Sequence, residues 1–443
     1  MKLIVPPVNI SENTGFSNEV DIFNRKPFGE ALLNLIQNTE DELVLALDAP
    51  WGEGKSTFIR MWQGLLAEKN VPHVYFDAFE NDYQTDPFLA ISSQIYSLID
   101  KEDGDNHREF KEKTTSALKV VGRAGLRIGI KALTVGVLDE TIFEDTGSVK
   151  YASKEASDLV DGYISNQLSK SNEDKKCLAS FKEYLTRLGK TLDGEDHVIF
   201  IIDELDRCKP KFALSLIESI KHLFSVPNIT FVLVMNRTQI EEAIRYEYGS
   251  GVDAPRYLQK FVSIWTSLPK LNDGYTSVPN KYLQNCLSRM GYQLQTRTHQ
   301  STVELYEELA THYDLSLREI EKSLTSFAII HNATDGDLNI EFSFISVFVA
   351  ITKVTSPDVY RKLANNSISY EELLDKASLS DLKVDHWQDK PEGHPIKWIL
   401  KYFLGTDEEA KELLEKGNYF NSRMNSRNAI PTVCRWLEAF QRN

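Results

Sequence analysis

Cysteine is scarce and scattered. Its four residues, Cys177, Cys208, Cys286 and Cys434, form no C-x-x-C pair and no Cys/His cluster of metal-site spacing. That excludes a disulfide scaffold or a zinc ribbon and favours a reduced protein with structural thiols. Uninterrupted apolar runs of the roughly 18 to 20 residues needed to span a membrane are also missing. The opening MKLIVPPVNISENTG has one lysine and a short apolar run broken by prolines, unlike a secretory signal. Positive surplus is lacking as well: 50 basic against 65 acidic residues give a net charge of −15. This argues against broad, non-specific binding to DNA or anionic membrane, although a basic patch on one face stays compatible with it. Internal repeats and low-complexity tracts are absent. The expectation is a soluble, cytoplasmic protein whose membrane contact is at most peripheral.

What is present fills two to three domains. The chain has 443 residues and 42% apolar content, enough for a sizeable core. Its organising stretch is LVLALDAPWGEGKST, Leu43 to Thr57. Leu43 to Leu47 form a short apolar run suited to a strand buried on both faces. A tight turn follows, Ala49-Pro50-Trp51-Gly52-Glu53-Gly54, then Lys55-Ser56-Thr57 and an amphipathic helical run from Phe58 to Leu66. Strand, loop and helix in this order make a phosphate-binding loop, because inward backbone N–H groups and the positive end of the helix dipole suit a polyphosphate. Pro50 to Thr57 are the expected nucleotide-binding residues, with Lys55 reaching the β and γ phosphates and Ser56 holding Mg²⁺. Ala49 stands where the first glycine of G-x-x-x-x-G-K-[ST] is usual, which requires a negative φ there. Glu53 is compatible with phosphate if its side chain points to solvent while its N–H serves the loop.

Residues 1–20 read as an irregular lead-in. From Asp21 a helical pattern places Phe28, Leu32, Leu35 and Ile36 on one face. Arg25 and Phe28 are candidates to touch the nucleotide base, against the plainer reading of a packing helix. Further strands are expected at Val71 to Phe79, His197 to Ile202, Ile229 to Met235 and Phe261 to Thr266. Helices are expected from Asp86-Pro87, from Pro210 to Phe224 and from Gln239 to Tyr248. Alternating strands and helices imply an α/β/α sandwich in three layers around a five-stranded, mostly parallel sheet. A helical insertion occupies about 101–195. Within it Lys119, Arg123, Arg127 and Lys131 recur every fourth residue, either as a cationic binding face or as a solvated helix side. From 269 to 443 the pattern is all-α, and Ser316 and Glu319 have capping-box spacing.

VIFIIDELDRC, Val198 to Cys208, supplies the second half of the site. An apolar strand ending in an acid assigns Asp203 to Mg²⁺ together with Ser56, and Glu204 to orienting and deprotonating the attacking water. Asn236, at the end of ITFVLVM, would approach the γ-phosphate or the water if that strand lies between the other two. The segment Asn236-Arg237-Thr238-Gln239 lacks the lysine and aspartate of a guanine-reading N-K-x-D, so ATP is expected over GTP. Positive charge for the transition state falls to Lys55, Mg²⁺ and an arginine, with Arg207, Arg256 and Arg318 as candidates and Arg318 the most attractive.

As a set, DIFNRKPFGEAL, APWGEGKS, YFDAFENDYQTDPFLAI, IIDELDRC, FVLVMNRTQIEEAI and YLQKFVSIWTSLP resemble the KAP family of P-loop NTPases over most of residues 20–270. SLREIEKSL extends the likeness into the helical region. The resemblance implies an ATPase core of the additional-strand, catalytic-glutamate type occupying 21–268, with an insertion where this chain has one. In many members that insertion spans membranes; here its charges break any span. Glu204 where a second Asp is frequent, Glu53 in the loop, and Asn236 where an acid is common are departures bearing on rate. Bacterial relatives are associated with phage exclusion beside partner proteins, and that role enters by resemblance alone. The expected activity is ATP hydrolysis by a nucleotide-driven switch or assembly factor, with a protein partner or homo-oligomer. The alternatives are a nucleotide-stabilised scaffold without significant turnover and a DNA-stimulated ATPase motor.

Overall fold

The computed structural model describes residues 1–8, 10, 15–39, 41–84, 86–99, 104–134, 175–188, 198–270, 277–334, 338–382, 394–416 and 428–439, with the side chains of 98 and 121–134 outside that set. Its centre is a five-stranded sheet in the order β2-β3-β4-β1-β5. The strands are β1 (Val44–Asp48), β2 (His73–Asp77), β3 (Val198–Asp203), β4 (Ile229–Met235) and β5 (Ile264–Ser267), and every pairing is parallel. Composition sorts centre from edge. VIFIID and ITFVLVM are buried along their whole lengths, whereas the edge strand HVYFD alternates between buried and half-buried positions. Strands covered on both faces need continuous apolar runs, and edge strands do not.

Because successive side chains point to opposite faces, each central strand feeds two cores. Leu45, Leu47, Ile199, Ile201, Val232 and Val234 pack under α1 (Lys26–Gln37) and α2 (Lys55–Glu68). Val44, Ala46, Phe200, Ile202, Phe231 and Leu233 pack on the other face. There they meet α3 (Pro87–Leu98), a helix at 175–188 (α5) that returns alongside α4 (Gly104–Thr134), and α6 (Pro210–Ser219). α6 ends in a π turn, Ile220–Phe224, and β4 continues into α7 (Arg237–Tyr248) and α8 (Ala254–Leu258). The sheet core therefore has the expected three layers.

The sheet domain is followed by α9 (Val278–Met290), α10 (Arg297–His312), α11 (Leu317–Ala333), α12 (Ile340–Thr355), α13 (Pro357–Ala364), α14 (Tyr370–Lys376), α15 (Pro395–Leu404), α16 (Asp407–Lys416) and α17 (Ala429–Ala439). They share a core of their own centred on α12, which is apolar on nearly every side, as a central helix of a bundle must be. The capping box at α11 is present: Ser316 Oγ accepts from Glu319 N–H, and the Glu319 carboxylate accepts from Ser316 N–H. The sequence pattern suggests helices near Val303 to His312, Ser316 to His331, Ile340 to Val354, Tyr370 to Ala377, Ile396 to Phe403 and Ala429 to Phe440, so α9, α13 and α16 have no counterpart among them.

Two expectations need correction. On α1 the buried face is Leu32, Leu33 and Ile36, while Leu35 stands exposed. α1 begins at Lys26 rather than Asp21, because the Asp21 carboxylate accepts from the N–H groups of Arg25 and Lys26 and holds the chain outside the helix. The lead-in also proves structural. Lys2 N–H donates to Met290 O at the end of α9 and Val5 enters the helical core. Farther on, Gly15 (φ 51°) lies so close to α2 that an added Cβ would sit 3.0 Å from Leu65 N. Residues 1–8 thus lie against the helical region and residues 15–25 against the sheet domain, a strap with contacts on both. The stripe Arg123, Arg127 and Lys131 lies outside the described side chains.

Candidate functional site

The loop between β1 and α2 is shaped by two glycines and a buried arginine. Gly52 (φ 87°) and Gly54 (φ 80°) take left-handed backbone, and Ala49 does not, as its substitution for glycine requires. Gly54 is the N-cap of α2, with no side-chain cap and no acid in the first turn. The first N–H groups of α2 are therefore left for a ligand anion. Arg25 is almost wholly buried, stacks 4.8 Å from the Phe23 ring, and donates from both terminal nitrogens to Glu53 O at 3.3 Å. Burial lowers its pKa to about 10, partly offset by Glu53 and Asp21. Arg25 thus braces the loop from below, and Phe28 packs against Phe58 inside the core.

Glu53 corrects the sequence reading. Its side chain is 10% exposed and its Oε1 lies 3.1 Å from Lys270 Nζ, so the carboxylate is largely buried and paired rather than turned to solvent. A lysine just past β5 neutralises it, and its carbonyl serves Arg25.

Lys55 opens α2 and folds back over the loop. Its Nζ donates to Ala49 O at 2.6 Å and to Pro50 O at 3.2 Å, with Asp206 Oδ2 at 3.9 Å. Burial lowers the ammonium pKa, while Asp206, Asp203 and Glu204 act to raise it. Ser56 Oγ donates to Glu204 Oε1 at 3.2 Å. Asp203, fully buried at the end of β3, accepts from Glu204 N–H at 2.8 Å and from Tyr75 OH at 3.3 Å. Burial pushes its pKa upward and those hydrogen bonds oppose the rise. One carboxylate beside one hydroxyl is the oxygen donor set that magnesium takes alongside phosphate, so the residues present fit that ion. Among the described residues no group of three or more His, Cys, Asp or Glu is placed for a metal, which leaves a site completed by ligand oxygens as the fitting kind.

Glu204 sits in left-handed backbone (φ 58°), and its carboxylate is held 2.6 Å from Arg207 Nε as well as by Ser56. Its pKa is raised, first by burial and then by Asp203, against the lowering influence of Arg207.

These groups face a cavity of about 290 Å³. Trp51, Gly52, Gly54, Lys55, Ser56, Thr57, Glu204 and Arg318 line it, while Pro50, Glu53, Asp203, Asn236 and Arg256 do not. Asn236 lies at the end of β4, between β1 and β3 as anticipated, but its Oδ1 caps α7 by accepting from Thr238 N–H at 3.1 Å. Arg256 belongs to the first turn of α8, where its N–H is capped by Asp253. The far wall is the strap, with Val20, Phe23 and Arg25, and the roof is α9 and α11, with Tyr282, Arg289, Arg318 and Glu321. Five cations and three carboxylates line the space in a chain that is acidic overall. The sequence reading passed over Asp206, Tyr282, Arg289 and Glu321. For Asp206 a signal existed, a third acid in DELDR; the others sit on helices with no local mark of a ligand.

The roof touches the loop. A Cβ added at Gly52 would lie 2.9 Å from Arg318 Cβ and 3.1 Å from Ser316 Oγ. Gly52→Ala is therefore expected to destabilise the protein by about 1–3 kcal/mol, through left-handed strain and displacement of the start of α11. Urea denaturation checks this, and a native midpoint would mean that α11 is not seated on the loop.

No curated protein matches the sequence closely. Two solved structures of the Aeropyrum pernix ORC2 protein, an ADP form and one of ADPNP–ADP complexes, are similar to it at 13% identity and a TM-score of 0.34. They cover 99% and 94% of this chain, and 97% and 95% of their own. Among the described residues no helix is long and apolar enough to cross a membrane. The family model described as the KAP family P-loop domain matches residues 25–334, well over half of the chain. The chain, with its parallel sheet, its glycine-shaped phosphate loop and its acid-ended β3, belongs to the KAP family of P-loop NTPases.

Proposed function

We propose that the protein binds and hydrolyses ATP and uses the nucleotide to set the position of its helical region, acting as a switch or assembly factor on a protein partner or a second copy. The observation that carries this reading is the shared cavity: the phosphate loop is its floor, and Arg289 and Arg318 of α9 and α11 are in its roof. A ligand bearing several negative charges would interact with both bodies at once, so its cleavage and release would change how they are held. In this reading Lys55 and the N–H groups of Trp51 to Thr57 bind the phosphates, with Pro50 shaping the turn that presents them. Ser56 and Asp203 hold Mg²⁺, which would neutralise phosphate charge when bound. Glu204 takes a proton from the attacking water, Asn236 stands by at the strand end, and Arg318 places positive charge on the γ-phosphate side. The proposed biological setting, resting on family likeness alone, is phage exclusion in a bacterium.

A second reading, a nucleotide-stabilised scaffold with negligible turnover, has its own support in the engagement of Glu204 by both Arg207 and Ser56. Single-turnover hydrolysis of radiolabelled ATP separates the two. The switch reading expects phosphate release with the full chain and a change in hydrodynamic radius or oligomeric mass between ATP and ADP. No release over many hours would leave the scaffold. Adding DNA, liposomes or a co-purifying protein to the same assay tests each as the stimulus, and stimulation by DNA would favour the motor.

A further inference from the structure

One buried carboxylate in the site is taken up neither by phosphate binding nor by hydrolysis. Asp206 follows the left-handed Glu204, and that backbone reversal, continued by the turn Leu205–Arg207, directs the side chain back beneath the ends of the strands. Only 1% of the side chain is exposed. A single oxygen, Oδ2, accepts from the Trp51 indole N–H at 2.6 Å and from the Asn236 backbone N–H at 2.9 Å. The other oxygen, Oδ1, is buried and has no hydrogen-bond partner. Lys55 Nζ lies 3.9 Å from the same Oδ2, which offsets part of the charge but leaves Oδ1 unpaired, so burial here is costly and the two hydrogen bonds point to a role of their own. They join two separate pieces: Trp51 lies in the phosphate loop, and Asn236 is the junction of β4 and α7.

We propose that Asp206 is a positioning residue that fixes the phosphate loop, through the Trp51 indole, to the end of β4, so that the loop is already in its binding shape before nucleotide arrives. The loop's glycines give it freedom that this clamp removes, and affinity improves when ordering need not accompany binding. Trp51 is 44% exposed, so its ring is not held by burial and the indole hydrogen bond is its principal tie.

The part of this inference that concerns ATP rests on the proposed function; the part that concerns the loop does not. The test therefore begins with hydrogen exchange on the nucleotide-free, full-length chain. Asp206→Ala and Trp51→Phe are each expected to speed amide exchange in residues 51–57 by about tenfold, the loss of one charge-assisted hydrogen bond. Asp206→Asn, whose amide oxygen can take the place of Oδ2 and accept both bonds, is expected to stay near native. With ATP, both disruptive variants should bind about tenfold more weakly, and the double variant no more weakly than the worse single one. A merely structural role for Asp206 would leave Trp51→Phe at native exchange, and that result overturns the clamp, as would multiplicative losses in the double variant. Trp51→Phe keeps the ring and tests the idea even if Asp206→Ala fails to fold. If the native chain bound no ATP, the proposed function would fall while loop exchange still decided the clamp.

Discussion

Lys55→Ala is expected to weaken ATP binding at least a hundredfold, the largest effect on affinity that a single change in this site should produce. Among the described residues Lys55 is the lone lysine lining the cavity, and its ammonium lies over the loop carbonyls of Ala49 and Pro50 with most of its water already removed. Part of the desolvation cost of a phosphate contact has thus been met in the fold. A charge-assisted bond to phosphate in such a place contributes about 3 kcal/mol, which is roughly two decades of affinity. The N–H groups at the start of α2 remain in the variant and set a floor, so weak binding persists at high ATP. Titration calorimetry measures the change. Native affinity in Lys55→Ala would remove the phosphate-loop assignment altogether, since no other side chain there could substitute without moving.

The second large effect is on rate. Glu204→Gln is expected to lower single-turnover hydrolysis by about 10²- to 10⁴-fold while ATP affinity stays within a few fold. The substitution preserves shape, and the Gln oxygen can still accept from Ser56 in place of Oε1, while its NH2 stands where Oε2 met Arg207 and gives up that pairing. What disappears is the capacity to take a proton. The Arg207 pairing bears on the same test: at 2.6 Å it holds the carboxylate away from free rotation. Turnover in the native chain therefore requires Glu204 to leave Arg207 or to work from its side. Equal hydrolysis rates in the variant and the native chain would dismiss Glu204 as the base.

How much of this was legible beforehand divides along a physical line. Features decided within a few residues of sequence were readable: the apolar runs of β1, β3 and β4, the glycine turn, the acid at the end of β3, and the Ser316 capping box. Features decided by a partner far along the chain were not. Glu53 looked like a solvent-facing carboxylate because nothing nearby reveals Lys270, more than two hundred residues on. Arg25 could be suspected of touching the nucleotide but not of holding a loop carbonyl. The lead-in was polar and proline-broken, which reads as irregular chain; irregular it is, yet Lys2 bonds to α9, Met1 bonds to α11, and Val5 enters the helical core. α9 itself, with only four fully buried side chains, carries too faint a stripe to stand out, although Arg289 and Tyr282 reach the cavity from it. The roles of Asn236 and Arg318 remain proposals, one resting on a strand end and the other on a helix start.

The strap sets an order of events during synthesis. Lys2 bonds to Met290, and Met1 to Asn332 across a separation of 331 residues. At about 5–20 residues per second, some tens of seconds pass between the emergence of these partners. Throughout that interval the sheet domain can pair its strands, because β5 is complete by Ser267. The segment that walls the nucleotide cavity must wait unanchored on its far side, and closing so long a loop carries the entropy of a high-contact-order step. A nascent chain halted before α11 would thus possess its phosphate loop and its acidic pair while lacking the enclosure that makes them a site. The enclosure that completes the site is acquired only once α11, Leu317–Ala333, has joined the chain.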